Sequence, residues 1–254
     1  MLKVDIIPCL KDNYSYVIFD INSNTVGVID PSEFEKVDNF ISKKYQKIDY
    51  IFNTHHHFDH VGGNLLLKKK YNSKIIGPKI EKDKIPGIDI LIDDKDNFKF
   101  GDCNFEIISV PGHTIGHIAI YSKKNSLLFS GDTLFSLGCG RVFEGNLEQM
   151  FQSIKKLKIL PKETKIYCGH EYTLNNLKFC KKYDFKNNKL IEKAEWINSR
   201  LKDKAPTLPI TIKEELETNI FLRYDNSDIK NYLGMINSTD EQIFKKLRTL
   251  KDEF

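Results

Sequence analysis

Thr54-His55-His56-His57-Phe58-Asp59-His60-Val61-Gly62-Gly63 is the stretch on which the reading of this chain turns. It follows IDYIFNT at 48–54, which reads as a strand, and it precedes a helix-like run at 64–71. In an extended chain successive side chains point to opposite faces, so His55 and His57 share one side and His56 takes the other. Asp59 and His60 follow after the turn. Up to four imidazole or carboxylate donors therefore fall within six residues. A triple histidine alone is nearly as readily an exposed polar loop as a metal site, but His-x-His-x-Asp-His is far more specific. Gly62-Gly63 would suit an anion at a helix start, yet a tight turn between loop and helix is the simpler role.

The same grammar recurs downstream. Apolar β-runs end in small or turn residues and a polar group follows at once: EIISV before His113, SLLF before Asp132, KIY before His170. Strands side by side would deliver these groups to one sheet edge, in loops held by rigid elements. All seven histidines lie between 55 and 170. His56 and His117 read as supporting or structural residues. The remaining set, His55, His57, Asp59, His60, His113, Asp132 and His170, counts seven donors. That is too many for one tetrahedral ion and suits two ions that share a carboxylate and a water. Imidazole with carboxylate and no thiolate points to Zn, with Fe or Mn as alternatives. Hydrolysis is the chemistry such a pair performs.

Around this set the composition is that of a globular protein. The chain has 254 residues, 40% hydrophobic and 29% charged, which excludes disordered and collagenous classes. A net charge of +4 with only four arginines gives no footprint for nucleic acid or an anionic membrane. No apolar run approaches the roughly 18 residues of a membrane span. The start lacks the pattern of a signal peptide. Five scattered cysteines without a C-x-x-C pair read as buried free thiols in a reducing cytosol. A cytoplasmic monomer is expected. KVDII, YSYVIFDI and TVGVID predict an antiparallel start, and hairpins are predicted at Gly101-Asp102 and near Lys124-Asn125. After about residue 173 the pattern turns helical: Leu190, Ala194, Ile197 and Leu201 share one face. Thr211 with Glu214, and Ser238 with Glu241, each predict a capping box. The expected division is an α/β domain over 1–172 and a helical domain over 173–254.

THHHFDHVGG, with Gly-His at 112–113, Gly-Asp at 131–132 and Gly-His at 169–170, resembles the metallo-β-lactamase superfamily. Within it, KDNYSYVIFD, GDTLFSLGCGRVFEG, CGHEYTLNNLKF and the closing LRTLKDEF resemble the glyoxalase II (hydroxyacylglutathione hydrolase) family over essentially the whole chain. The resemblance implies an αββα sandwich followed by a smaller all-helical domain. It implies one ion on His55, His57 and His113, a second on Asp59, His60 and His170, and Asp132 between them. Asp59 and Asp132 would then be the catalytic carboxylates. The implied reaction is thioester hydrolysis: a hydroxide bridging the metals attacks S-D-lactoylglutathione, giving D-lactate and glutathione, a step of methylglyoxal detoxification. Implied substrate contacts are Arg141, Val142, Phe143, His170, Tyr172, Arg248 and Lys251. Phe143 stands where many relatives carry Tyr, so a hydroxyl contact is expected to be missing, while Arg141 replaces a frequent Lys and keeps its charge.

Three rivals are weighed against this. A persulfide dioxygenase-like enzyme shares much of the pattern but binds a single iron, and the helical tail with RTLKDEF speaks against it. A metallo-nuclease would need a basic surface that the charge does not supply. A non-catalytic binding module would have no use for seven intact donors. Cys139 and Cys168 lie near the donors in sequence, but the histidines a nucleophile would need as base are already committed.

Overall fold

Leu2–Cys9 (β1), Asn13–Asp20 (β2) and Thr25–Ile29 (β3) pair antiparallel in the computed structural model, which describes residues 1–254. Helix Phe34–Lys44 (α1) then carries the chain to Tyr50–Phe52 (β4), which joins β3 in parallel. Short helix Phe58–Val61 (α2) and helix Asn64–Tyr71 (α3) lead to Lys74–Pro78 (β5), and Ile90–Ile92 (β6) closes the sheet, both strands again parallel. A second sheet follows as an antiparallel run: Asn97–Phe100 (β7), Cys103–Ser109 (β8), Ile118–Ser122 (β9) and Leu127–Gly131 (β10). Its turns fall at Gly101-Asp102 and at Lys123–Asn125, as the sequence predicts. Together these elements form one compact unit, Met1–Ser109 with Gly116–Gly131.

Strands β2, β3, β9 and β10 are almost wholly buried, which is why they read as continuous apolar runs, whereas β8 alternates, with Asn104 and Glu106 exposed. On β4, Ile51 packs with Val17, Val28, Val37, Ile41 and Leu67 in the layer shared with α1 and α3. Its neighbour Phe52 points the other way and meets Phe98, Phe100 and Phe105 of the second sheet edge-on, with ring centroids 5.3–6.1 Å apart. The result is sheet upon sheet with helices outside the first. Burying a Phe or Ile of this kind is worth roughly 1.5–3 kcal/mol.

The second compact unit comprises Val110–Ile115 and Asp132–Phe254. A two-residue hairpin, Leu134–Phe135 (β11) and Gly138–Cys139 (β12), precedes helix Leu147–Lys158 (α4). Lys165–Cys168 (β13) leads into Thr173–Tyr183 (α5) and Lys189–Lys202 (α6). Ile210–Thr211 (β14) pairs with β13, and three helices close the chain: Ile212–Thr218 (α7), Ser227–Tyr232 (α8) and Asp240–Asp252 (α9). Phe151, Phe221 and Phe244 form the core of this helical assembly, with Tyr224 against Phe151 at 5.1 Å. The predicted cap of α7 is present: Thr211 and Glu214 make a capping box. The predicted cap of α9 is corrected by one residue, because the box is Thr239 with Gln242 and not Ser238 with Glu241. Helices α1 and α8, strand β6 and the β11–β12 hairpin are additional to the sequence prediction. All five cysteines are buried and free. No helix is long and apolar enough to cross a membrane.

Candidate metal centre

In the first unit, the strand-end loops of β3 and β4 build one half of the donor set. Asp30, at the end of β3, is 2% exposed and accepts from the Thr54 amide at 2.8 Å and the Thr54 hydroxyl at 2.7 Å. Because the Thr54 hydroxyl proton goes to Asp30, its oxygen is left to accept from His55 Nδ1 at 3.0 Å. The same carboxylate lies 3.0 Å from His60 Nδ1. One buried aspartate thereby fixes both imidazoles with Nδ1 protonated and Nε2 carrying the lone pair, the state in which histidine ligates metal. Asn53 holds the backbone of the turn through His60 O at 3.0 Å, and Asn13 donates to Asp59 Oδ2 at 2.8 Å. His57 Nδ1 stands 3.1 Å from His55 Nε2.

His56 and His117, read as supporting or structural residues, have side-chain neighbours of their own. His56 Nδ1 lies 2.9 Å from Glu81 Oε2, and its ring meets that of His57 edge-on at 5.0 Å. His117 is fully buried and stacks on His55 with centroids 4.6 Å apart. Gly131 explains the Gly-Asp pair: its φ is +49°, and a Cβ there would stand 2.6 Å from Thr54 Oγ1.

The other half lies in the second unit. Asp132 Oδ2 is 3.4 Å from His113 Nε2 and 3.2 Å from His170 Nε2, and all three residues are nearly buried. His113 Nδ1 donates to the Arg141 carbonyl oxygen at 2.8 Å, so in the neutral imidazole its Nε2 offers a lone pair toward a carboxylate oxygen. Acceptor facing acceptor in a buried place is unfavourable unless a cation lies between. A cation between such groups removes the conflict, and the donors His113, Asp132 and His170 fit a divalent metal ion in that way. At Gly140 a side chain would overlap the Asp132 carbonyl oxygen, so the chain passes there only as glycine.

The residues expected at the substrate all belong to the second unit. Tyr172 stacks on His170 at 4.6 Å, and Phe135 packs edge-on against Tyr172 at 5.3 Å. Phe143 is 61% exposed and its ring centroid is 5.2 Å from that of His113. Arg141 pairs with Asp252 at 2.9 Å. Arg248 is 5% exposed, and its guanidinium donates to Cys139 O at 2.7 Å. The Lys251 amine lies between the Phe179 and Phe254 rings, and its pKa is lowered to about 8, chiefly by burial and further by Arg248. Burial pushes the Cys139 thiol up to about 11 and Cys168 higher still, so neither is a ready nucleophile. Sequence reasoning missed Asp30, Asn13 and Glu81. Only Asp30 carried a signal: TVGVID is another apolar run ending in a carboxylate.

Residues 11–170 match the family model described as metallo-beta-lactamase superfamily, and residues 171–254 match that described as hydroxyacylglutathione hydrolase C-terminus. A hydroxyacylglutathione hydrolase of Pelagibacter ubique is 49% identical over 253 residues, covering 100% of both chains. One from Brucella anthropi is 43% identical, covering 100% of this chain and 97% of the relative. Among solved structures, ETHE1 from Myxococcus xanthus has a TM-score of 0.70 at 20% identity, covering 97% of this chain and 90% of that one. The BLEG-1 B3 metallo-beta-lactamase has a TM-score of 0.67 at 22% identity, covering 87% and 99%. These two likenesses are of fold.

Proposed function

The chain belongs to the hydroxyacylglutathione hydrolase family of the metallo-β-lactamase superfamily, and from that footing we propose that it converts S-D-lactoylglutathione to D-lactate and glutathione. It is an enzyme of the thioester hydrolase type. Its architecture is the metallo-β-lactamase sandwich followed by the family's helical C-terminal domain. Other S-(2-hydroxyacyl)glutathiones yield the matching 2-hydroxy acids in the same way, and the reaction serves methylglyoxal detoxification. The observation that carries the reading is the facing of acceptor groups, His113 Nε2 toward Asp132 Oδ2, in a chain matched from end to end by hydrolases of this name.

His55, His57 and His113 would hold one divalent ion, Asp59, His60 and His170 a second, and Asp132 would touch both. Zinc suits the donors, with iron or manganese as alternatives. Ions bound there would polarise the thioester carbonyl and lower the pKa of the attacking water. Asp30 and Thr54 would leave Nε2 of His55 and of His60 available as metal ligands. Asp59, which accepts from Asn13, would be the carboxylate that takes the proton of the attacking water. The glutathione sulfur, with a thiol pKa of about 8.5, departs as thiolate and needs no protein acid.

Glutathione carries two carboxylates, which call for cations and N–H donors. Arg141, Arg248 and Lys251 supply charge; Val142, Phe143, His170 and Tyr172 line the peptide and acyl portions. Phe143 offers a ring and no hydroxyl. In this scheme residues 1–172 are the catalytic domain and 173–254 the substrate-binding domain of a cytoplasmic monomer. A mononuclear dioxygenase-like alternative is not favoured, because the full-length relatives at 43–49% identity are hydrolases by name.

The test is to supply the purified protein with S-D-lactoylglutathione and follow free thiol and D-lactate while metal is counted in the same sample. Equal release of both products, with two metals per chain, is the expected result. Absence of thiol release from metal-replete protein would overturn the assignment.

A further inference from the structure

Glu215, on α7, is fully buried, and its carboxylate is spent on a loop far from it in sequence. Oε2 accepts from the Leu137 amide at 2.7 Å and from Asn219 Nδ2 at 2.8 Å. Oε1 is buried and has no hydrogen-bond partner. Asn219 Nδ2 reaches on to the carbonyl oxygens of Phe135 at 3.2 Å and Gly138 at 3.0 Å. Leu137 has a φ of +58°, a left-handed conformation that a leucine keeps only when its surroundings impose it. Asn176 holds Ser136 O at 3.0 Å and the Cys180 thiol holds Leu137 O at 3.3 Å. Every residue of the turn between β11 and β12 is thus gripped by side chains of α5, α7 and the residue that ends α7.

A half-satisfied carboxylate in the interior weakens a fold compared with an apolar side chain of the same size. The gripped hairpin carries Phe135, whose ring packs on Tyr172 and His170, and runs directly into Arg141–Phe143. We propose that Glu215, acting with Asn219, is a positioning residue for substrate recognition: it sets the β11–β12 hairpin so that Phe135 and Tyr172 on one side and Arg141–Phe143 on the other stand ready for the glutathione thioester. This rests on the reading of those residues as the recognition set.

The experiment compares Glu215→Gln, which keeps an acceptor for the Leu137 amide, with Glu215→Leu, which fills the space without one. Metal content, melting, KM and kcat for S-D-lactoylglutathione, and hydrogen exchange at the Leu137 amide are read together. Glu215→Leu is expected to keep its metal and its kcat within about threefold while KM rises about tenfold, the worth of one buried hydrogen bond. Its Leu137 amide should exchange faster, and Glu215→Gln should restore both readouts. Asn219→Ala, which frees Phe135 O and Gly138 O from the other side, carries the same expectation should Glu215→Leu fail to fold. Wild-type KM and wild-type Leu137 exchange in the folded variants would overturn the proposal. So would a loss of kcat and metal content together with a raised KM in Glu215→Gln, which is the mark of a merely structural residue. If the unaltered protein releases no thiol, the functional reading fails, while the exchange comparison still decides the clamp.

Discussion

Arg248 donates through Nη1 to the carbonyl oxygen of Cys139 at 2.7 Å, so a cation read from the sequence as a substrate ligand also holds the protein's own backbone. It reaches Gly140 O at 3.5 Å and Asp252 at 3.2 Å, and it is 5% exposed. Lys251, three residues on, has only Asn175 O at 3.4 Å as a hydrogen-bond partner. The two cations should therefore separate on mutation. Lys251→Ala is expected to raise KM about tenfold with kcat unchanged, the loss of one charged hydrogen bond. Arg248→Ala should raise KM too and also destabilise the fold by about 2–4 kcal/mol, because buried carbonyls lose their donor. Steady-state kinetics beside urea unfolding make the comparison; equal stability of the two variants contradicts it.

Asp30 orders His55 through Thr54 and His60 directly. Removing it in Asp30→Ala leaves both rings free to turn. Metal affinity should fall about 10- to 100-fold, the usual consequence of losing a partner of a metal-bound histidine. Competition with a chromogenic chelator measures it, and a wild-type affinity would refute the role.

Asp132→Ala takes away the only carboxylate proposed to touch both ions. We expect kcat to fall by about a thousandfold or more, and metal content to drop below that of the unaltered protein. Wild-type kcat and metal content in this variant would remove Asp132 from the site.

Much of this was readable because periodicity and punctuation agree. The strand before Asp132 is buried along its whole length and stands out as an apolar run, the strand before His113 alternates buried and exposed residues over Cys103–Ile107, and each ends at a polar group. The β11–β12 hairpin did not stand out. Its strands are two residues long and are held by Glu215, Asn219 and Asn176 from far along the chain, which no local pattern records. The cap of α9 shows a different limit. Ser238–Glu241 and Thr239–Gln242 both satisfy the capping pattern one residue apart, and burial of Ile243, Phe244 and Leu247 against the helical core accompanies the second. Nor does sequence spacing distinguish Arg248, turned inward, from Lys251 on the same helix.

Lys251 also predicts a pH effect. Its amine titrates near 8, so it is charged below that value and neutral above it. If it binds a substrate carboxylate, kcat/KM should decline as pH rises past about 8, since that ratio reports groups of the free enzyme. Lys251→Arg stays charged throughout and should lack the decline. Superimposable profiles for the two proteins would exclude Lys251 from recognition.

Glu215 gives the last prediction, on stability. Burial raises its carboxyl to about 7 from the 4.5 of an exposed glutamate, outweighing the attraction of Lys193, while Glu214 adds to the rise. Between these values the folded protein keeps the proton and the unfolded chain has lost it. The unfolded state then binds fewer protons, so stability falls as pH rises from about 4.5 to about 7 and is level outside that window. The difference corresponds to about 3 kcal/mol. Every other ionisable group is common to wild type and Glu215→Gln, so subtracting that variant's unfolding free energy leaves residue 215. Urea unfolding at pH 5 and pH 7.5 should show wild type losing ground to Glu215→Gln by that order. A difference that is constant with pH, or that grows in favour of wild type, would show that Glu215 is ionised in the folded protein at both.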